Sequence, residues 1–252
     1  MQSVLIRLAG AIMIASLAND AGAAEVKVLT AGAFKQVLQA LLPEFEGKGY
    51  KVSLQNDTVG ALTKRIEGGE TFDLAVLTAR AIDELSANGK VVAGSRTNLA
   101  RVGVGMVVKD GAAKPDIGSV AAFKQALLAA KSVAYIDPAA GGSSGIYVAG
   151  LLKELGIDAE VNAKAKLIPG GAVAEHIARG EAELGIHQIS EILPVKGVTL
   201  VGPLPAEIQN YTVYAAGIGA QATNAEGARA LLSALSGPAS AAALKAKGME
   251  PP

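Results

Sequence analysis

The sequence predicts an α/β fold in two lobes, and three observations predict it. Short apolar runs alternate with amphipathic stretches along nearly the whole chain. The 252 residues are 50% hydrophobic, enough for two modest cores. The composition shifts twice, at 96–102 and at 202–207, where an extended chain can cross from one lobe to the other. Strands and helices that alternate this way build right-handed βαβ units, mostly parallel sheets flanked by helices.

The elements follow in chain order. Residues 1–23 are set aside as a signal peptide. Arg7 precedes an apolar run from Leu8 to Ala18, and Ala21 and Ala23 supply the small residues of a cleavage point. The run is too short to cross a bilayer about 30 Å thick. VKVLTA (26–31) reads as a buried strand. Phe34, Val37, Leu38, Leu41, Leu42 and Phe45 recur at helical spacing, predicting a helix over 34–49 that Gly47 and Gly49 stop. A strand over 51–56, a helix over 60–70, a strand over 72–78 and a helix over 81–88 complete the first run.

A strand with period-2 glycines (101–109) opens the second run. A helix over 115–131 has Asp116 and Ser119 near its start as caps. Then come a strand over 132–138, a helix over 144–156 closed by Gly156, a strand over 165–170 and a helix over 172–181. Strands over 182–190 and 198–205 follow. A last strand, YTVYAAGIG, and two final helices return to the first lobe. Lobe I is thus 24–101 plus 206–252, and lobe II is 102–205.

Composition excludes several function classes. Lys and Arg number 23 and Asp and Glu 23, so no net field gathers nucleic acid or an anionic membrane surface. With no cysteine there is no disulfide, no iron–sulfur cluster, no thiolate zinc site and no lipid-anchoring residue, so no membrane anchor is expected. The two histidines, His176 and His187, lack ligand spacing, so no metal is expected, and no phosphate-binding glycine motif calls for a cofactor. His176, mid-helix, reads as structural. GGSSG (141–145) is not read as a nucleophile elbow, because Gly142-Ser143-Ser144-Gly145 has one residue too few between its glycines.

In open α/β sheets ligands sit beyond the carboxyl ends of strands, where helix N-termini point. The strand-to-helix turns therefore supply the candidates: Gly32, Ala33 and Phe34; Thr58 and Val59; Arg80; Gly142, Ser143, Ser144 and Gly145; Gly170 and Gly171; His187 and Gln188. Glycines let the backbone approach a guest, serines add hydroxyls, and the helix start adds positive potential. The same serines serve equally as helix caps, and Arg80 equally as a surface residue.

TAGAF, TVGALTKRIEGGETFDLAVLTA, DPAAGGSSGIYVAGLLKELGI and GEAELGIHQISE, in that order, resemble the periplasmic substrate-binding proteins of ABC importers, in the molybdate-binding branch of the type II fold. The resemblance implies two lobes joined by two hinge strands and closing on a small anion. It also implies a monomer in the periplasm and importer membrane subunits as partners. Where the molybdate binders of that branch offer hydroxyls, this chain has Ala33, Val59 and Gln188, with Thr58 nearby. Each missing donor to a dehydrated oxyanion costs about 1–3 kcal/mol. The expected guest is therefore an organic di- or tricarboxylate rather than molybdate. Aconitate isomerase is similar to the same branch, and under that alternative His187 is the catalytic group that moves a proton.

Overall fold

A computed structural model describes residues 25–252; the segment read as a signal peptide lies outside the described residues. The first run is β1 (Glu25–Ala31), α1 (Gly32–Glu46), β2 (Lys51–Asp57), α2 (Val59–Glu67), β3 (Leu74–Thr78) and α3 (Ala79–Ala87). A long strand β4 (Thr97–Lys109) leads to α4 (Val120–Ala129), β5 (Val133–Ile136), α5 (Ser143–Glu154) and α6 (Asp158–Asn162). Next are β6 (Ala165–Ile168), α7 (Val173–Ala178), β7 (Leu184–Gln188), α8 (Ile189–Ile192) and β8 (Val198–Pro203). The chain ends with β9 (Tyr211–Ile218), α9 (Ala225–Ser236) and α10 (Pro238–Ala246).

Periodicity located the long elements, while local chemistry set their ends. Helix α4 starts at Val120 rather than near 115 because Ser119 accepts a hydrogen bond from Ala122 N, and Asp116 is spent on a turn to Gly118 N. Helices α6 and α8 were not anticipated, being too short to show a 3.6-residue period.

The strands are ordered β2-β1-β3-β9-β4-β7-β5-β6, with β8 also on β4. The outer strands of each half are parallel: β2, β1 and β3 on one side, β7, β5 and β6 on the other. The inner joins are antiparallel, because β4 and β9 each carry the chain back across the middle. One apolar core gathers β1, β3, β9, α1, α9 and α10, with Phe34, Leu38, Leu74 and Tyr214 inside. The other half is covered on both sheet faces: Val104, Met106 and Val108 point to one cluster and Val107 to the other, as strand alternation requires.

The two halves share β4. Thr97 to Gly103 pair with β9, whereas Val104 to Lys109 pair with β7 and β8. Val104 faces Gln188 of β7 on one edge; on the other, between the β9 and β8 ladders, no strand residue lies opposite it, and the Gln209 side chain fills that gap. Its Oε1 accepts from Val104 N at 2.8 Å and its Nε2 donates to Val104 O at 3.0 Å. Tyr147 of α5 donates its hydroxyl to Ile208 O, fastening the second crossing to lobe II.

Away from this seam the lobes meet again. Gly60 N donates to Gly141 O at 3.0 Å, and Thr58 Oγ1 donates to Ala140 O at 2.5 Å. A Cβ on Gly60 would lie 2.8 Å from Gly141 Cα, so only two glycines permit this approach.

Two outcomes follow. Gln209→Ala strands the Val104 amide and is expected to lower unfolding free energy by about 1–3 kcal/mol in urea titration, with Gln209→Glu losing less. Unchanged stability in Gln209→Ala would show that the amide finds another partner. Gly60→Ala is expected to hold the lobes apart, read as a larger radius of gyration in small-angle scattering, while stability stays within about 1 kcal/mol.

Candidate functional site

Between the lobes lies a cleft of about 420 Å³. Its walls are strand-to-helix turns from both halves, and most of the candidate residues meet there. Gly32, Ala33, Thr58, Val59, Gly142, Ser143, Ser144, Gly171, His187 and Gln188 line it. Phe34, Gly145, Gly170 and Arg80 are not among the lining residues. Phe34 is buried in the first core, because the face of α1 that starts with it continues through Val37 and Leu38. Gly145 is there for packing: a Cβ would fall 2.2 Å from Ile136 O, so α5 can lie on β5 only with glycine at that position. The Arg80 side chain is 89% exposed and paired with Glu84 at 2.8 Å.

Side-chain capping differs among the helix starts. Helices α3, α4 and α9 are capped by Thr78, Ser119 and Asn224, none of which lines the cleft. Helices α1 and α5 begin at Ala31 and Gly142 with no side-chain cap, and both starts line the cleft. First-turn N–H groups of two long helices, one per lobe, thus face the same space without side-chain partners. That is a setting for negative oxygens. Thr58 differs. Its hydroxyl caps α2 through Ala61 N and donates to Ala140 O, so its hydrogen is already committed.

Ser143 is held by a network from both lobes. Gln188 Nε2 donates to Ser143 Oγ at 2.9 Å, Tyr214 OH donates to Gln188 Oε1 at 2.8 Å, and Tyr214 OH lies 3.3 Å from Ser143 Oγ. Gly141-Gly142-Ser143-Ser144-Gly145 does have Gly-x-Ser-x-Gly spacing, which corrects the sequence reading on that point. Ser143 nevertheless hydrogen-bonds Gln188 and Tyr214 rather than a histidine, so no activated nucleophile results.

The base of the cleft holds a buried histidine–carboxyl pair. His187 Nε2 stands 3.3 Å from Glu191 Oε2. His187 is 2% exposed, and burial pushes its pKa down to about 3, so the ring is neutral. Burial pushes the Glu191 carboxyl up to about 8, with Lys35 pulling the other way, so it carries a proton at neutral pH. The Glu191 side chain keeps 15% exposure, on the cleft side. Its Oε1 would lie 2.4 Å from a Cβ on Gly32, so the missing side chain at Gly32 makes room for this carboxyl at the α1 start. His187 Nδ1 and Ser190 Oγ are buried without a partner among the described residues.

Sequence reasoning missed Glu191, Lys35, Lys196 and Tyr214. Glu191 follows His187 by four residues, but with the strand carried to 190 it fell outside the candidate turn. Tyr214 comes from a strand late in the chain, and only the β3-β9-β4 order brings it to the cleft.

The profile of the bacterial extracellular solute-binding proteins matches residues 26–250. A Pseudomonas protein named aconitate isomerase is 35% identical over 251 residues, covering 96% of this chain and 94% of that protein. The Azotobacter vinelandii periplasmic molybdate-binding protein superposes with a TM-score of 0.77 at 22% identity, over 90% of this chain and 99% of that one. The sulfate-binding protein SubI from Mycobacterium tuberculosis gives 0.72 at 16% identity, over 90% and 86%. With the matched profile, the shared two-lobed fold and the cleft between the lobes, this chain belongs to the bacterial extracellular solute-binding protein family.

Proposed function

We propose that the chain captures a small polycarboxylate between lobe I (24–101 plus 206–252) and lobe II (102–205) and shifts a proton along it, an isomerisation of the aconitate type. One observation carries the reading: a proton-holding carboxyl, Glu191, beside neutral His187 inside a cleft otherwise furnished for negative oxygens. In its ionised form a buried carboxyl repels an anionic guest, so a site that only traps anions is served by the protonated form alone. An allylic proton shift needs such a group, with a pKa near the working pH. The relative named aconitate isomerase supports the same reading.

The chemistry balances without a cofactor. Ionised Glu191 takes a proton from the saturated carbon beside the double bond. The C–H electron pair spreads over the three-carbon unit and onto carboxylate oxygens, which the α1 and α5 amides stabilise. The same carboxyl returns the proton to the far carbon, moving the double bond. His187, its Nε2 3.3 Å from Glu191 Oε2, holds the carboxyl in place.

A second reading, delivery of the bound anion to an ABC importer in the periplasm, is favoured by the contacts of Thr58 with Ala140 and Gly60 with Gly141. They close the lobes as ligand capture requires.

Incubation of the protein with cis-aconitate, followed by chromatography, is expected to yield the trans isomer. Glu191→Gln is expected to lower turnover about 100-fold or more while aconitate still raises the melting temperature. A wild-type melt shifted by aconitate without any isomerisation would leave the transport reading standing alone. In the free enzyme kcat/KM is expected to rise with pH towards about 8 as Glu191 ionises. Stability should move the other way. Glu191 keeps its proton to about 8 when folded but loses it near 4.5 when unfolded, so its contribution falls across that window. Glu191→Gln should therefore gain on the wild type in melts as pH rises from about 4.5 to about 8.

A further inference from the structure

Besides His187, the ionisable side chains lining the cleft, apart from the tyrosine, are Lys35, Asp57, Glu175, Glu191 and Lys196. Asp57 accepts a hydrogen bond from Thr58 N, and Glu175 is exposed at the start of α7. Neither lysine ammonium has an ion-pair or hydrogen-bond partner among the described residues, whereas the lining residues Asp57, Ser143, Gln188 and Glu191 are all engaged. Lys35 comes from lobe I, one turn along α1 from Gly32 and on the same helix face. It stands near enough to act on the charge of Glu191. Lys196 comes from lobe II, between α8 and β8. The two cations of the cleft are thus divided between its walls, with the histidine–carboxyl pair also on its lining.

Building on the proposed polycarboxylate function, we infer that Lys35 and Lys196 determine specificity. Each takes one carboxylate of a guest that bridges the lobes, so the cleft selects molecules carrying at least two separated carboxylates over those carrying one. A third carboxylate falls to Ser144 and the uncapped start of α5. Division between lobes gives selection a mechanism. A guest with one carboxylate satisfies one wall, while a guest with two pulls both walls together and brings its central carbons towards Glu191. Lysine suits this task because its ammonium is a point charge on a flexible stem, which finds a carboxylate without a fixed approach angle.

Calorimetric titration of wild type, Lys35→Gln, Lys196→Gln and the double variant with trans-aconitate, fumarate and crotonate tests this, since these carry three, two and one carboxylates. Wild type is expected to bind the first two more tightly than crotonate. Each single variant should weaken trans-aconitate about tenfold or more, and the double variant should lose the preference for several carboxylates. Lys35→Arg should retain most of the affinity by keeping the charge. Melting temperatures of the variants should match wild type, because neither ammonium holds the fold together. If wild type binds trans-aconitate and the glutamine variants bind it equally well, this inference falls while the site reading survives. If wild type binds none of the three, the reading beneath it falls too.

Discussion

Strand β4 hydrogen-bonds to β9 through its first half and to β7 and β8 through its second, so one unbroken backbone sets the spacing of two separately packed cores. Their helix starts then face one another across a gap. The weak point of such a strand is the residue between two ladders, where backbone groups lose their partners. Here the Gln209 amide supplies a donor and an acceptor to Val104, standing in for a strand residue. The seam thus passes from one ladder to the next without leaving a polar group stranded.

Positive groups reach the cleft by arrangement rather than by sum. The protein carries no net charge, and the acidic and basic side chains of the lining come close to cancelling. Uncapped helix starts from both lobes and two lysines without a partner among the described residues line the cleft. A buried carboxyl belongs in such a place only in its protonated form or in transit between forms. The low polarity around Glu191 holds it there, and the neutral ring of His187 avoids adding a second buried charge.

Close backbone approach matters as much as charge. Gly141 has φ +73° and abuts Gly60 across the lobes, Gly142 and Gly145 let α5 settle on Ile136, and Gly32 leaves room for the Glu191 carboxyl. The glycine-rich run after β5 therefore serves mainly to bring elements together. Its serines face the cleft because those glycines allow α5 to start so near β5.

The sequence by itself determined the alternation of strands and helices and the strand-to-helix turns, most of which line the cleft. These depend on local periodicity and on helix N-termini following strands, both legible within a dozen residues. It also placed His187 and Gln188 at the end of an apolar strand, where the structure has them buried. What it could not determine was which side chains complete one another. Glu191 matters through its distance to His187 and to the α1 start, and Tyr214 through a strand order that sets β9 between β3 and β4. Lys35 reaches the cleft only through the way α1 is rolled. Arg80 has a carboxylate one turn away to pair with, and whether such a residue reaches solvent or a guest depends on which way its helix is rolled. Those are relations across the chain, fixed only when two cores pack on one strand, and no local pattern encodes them.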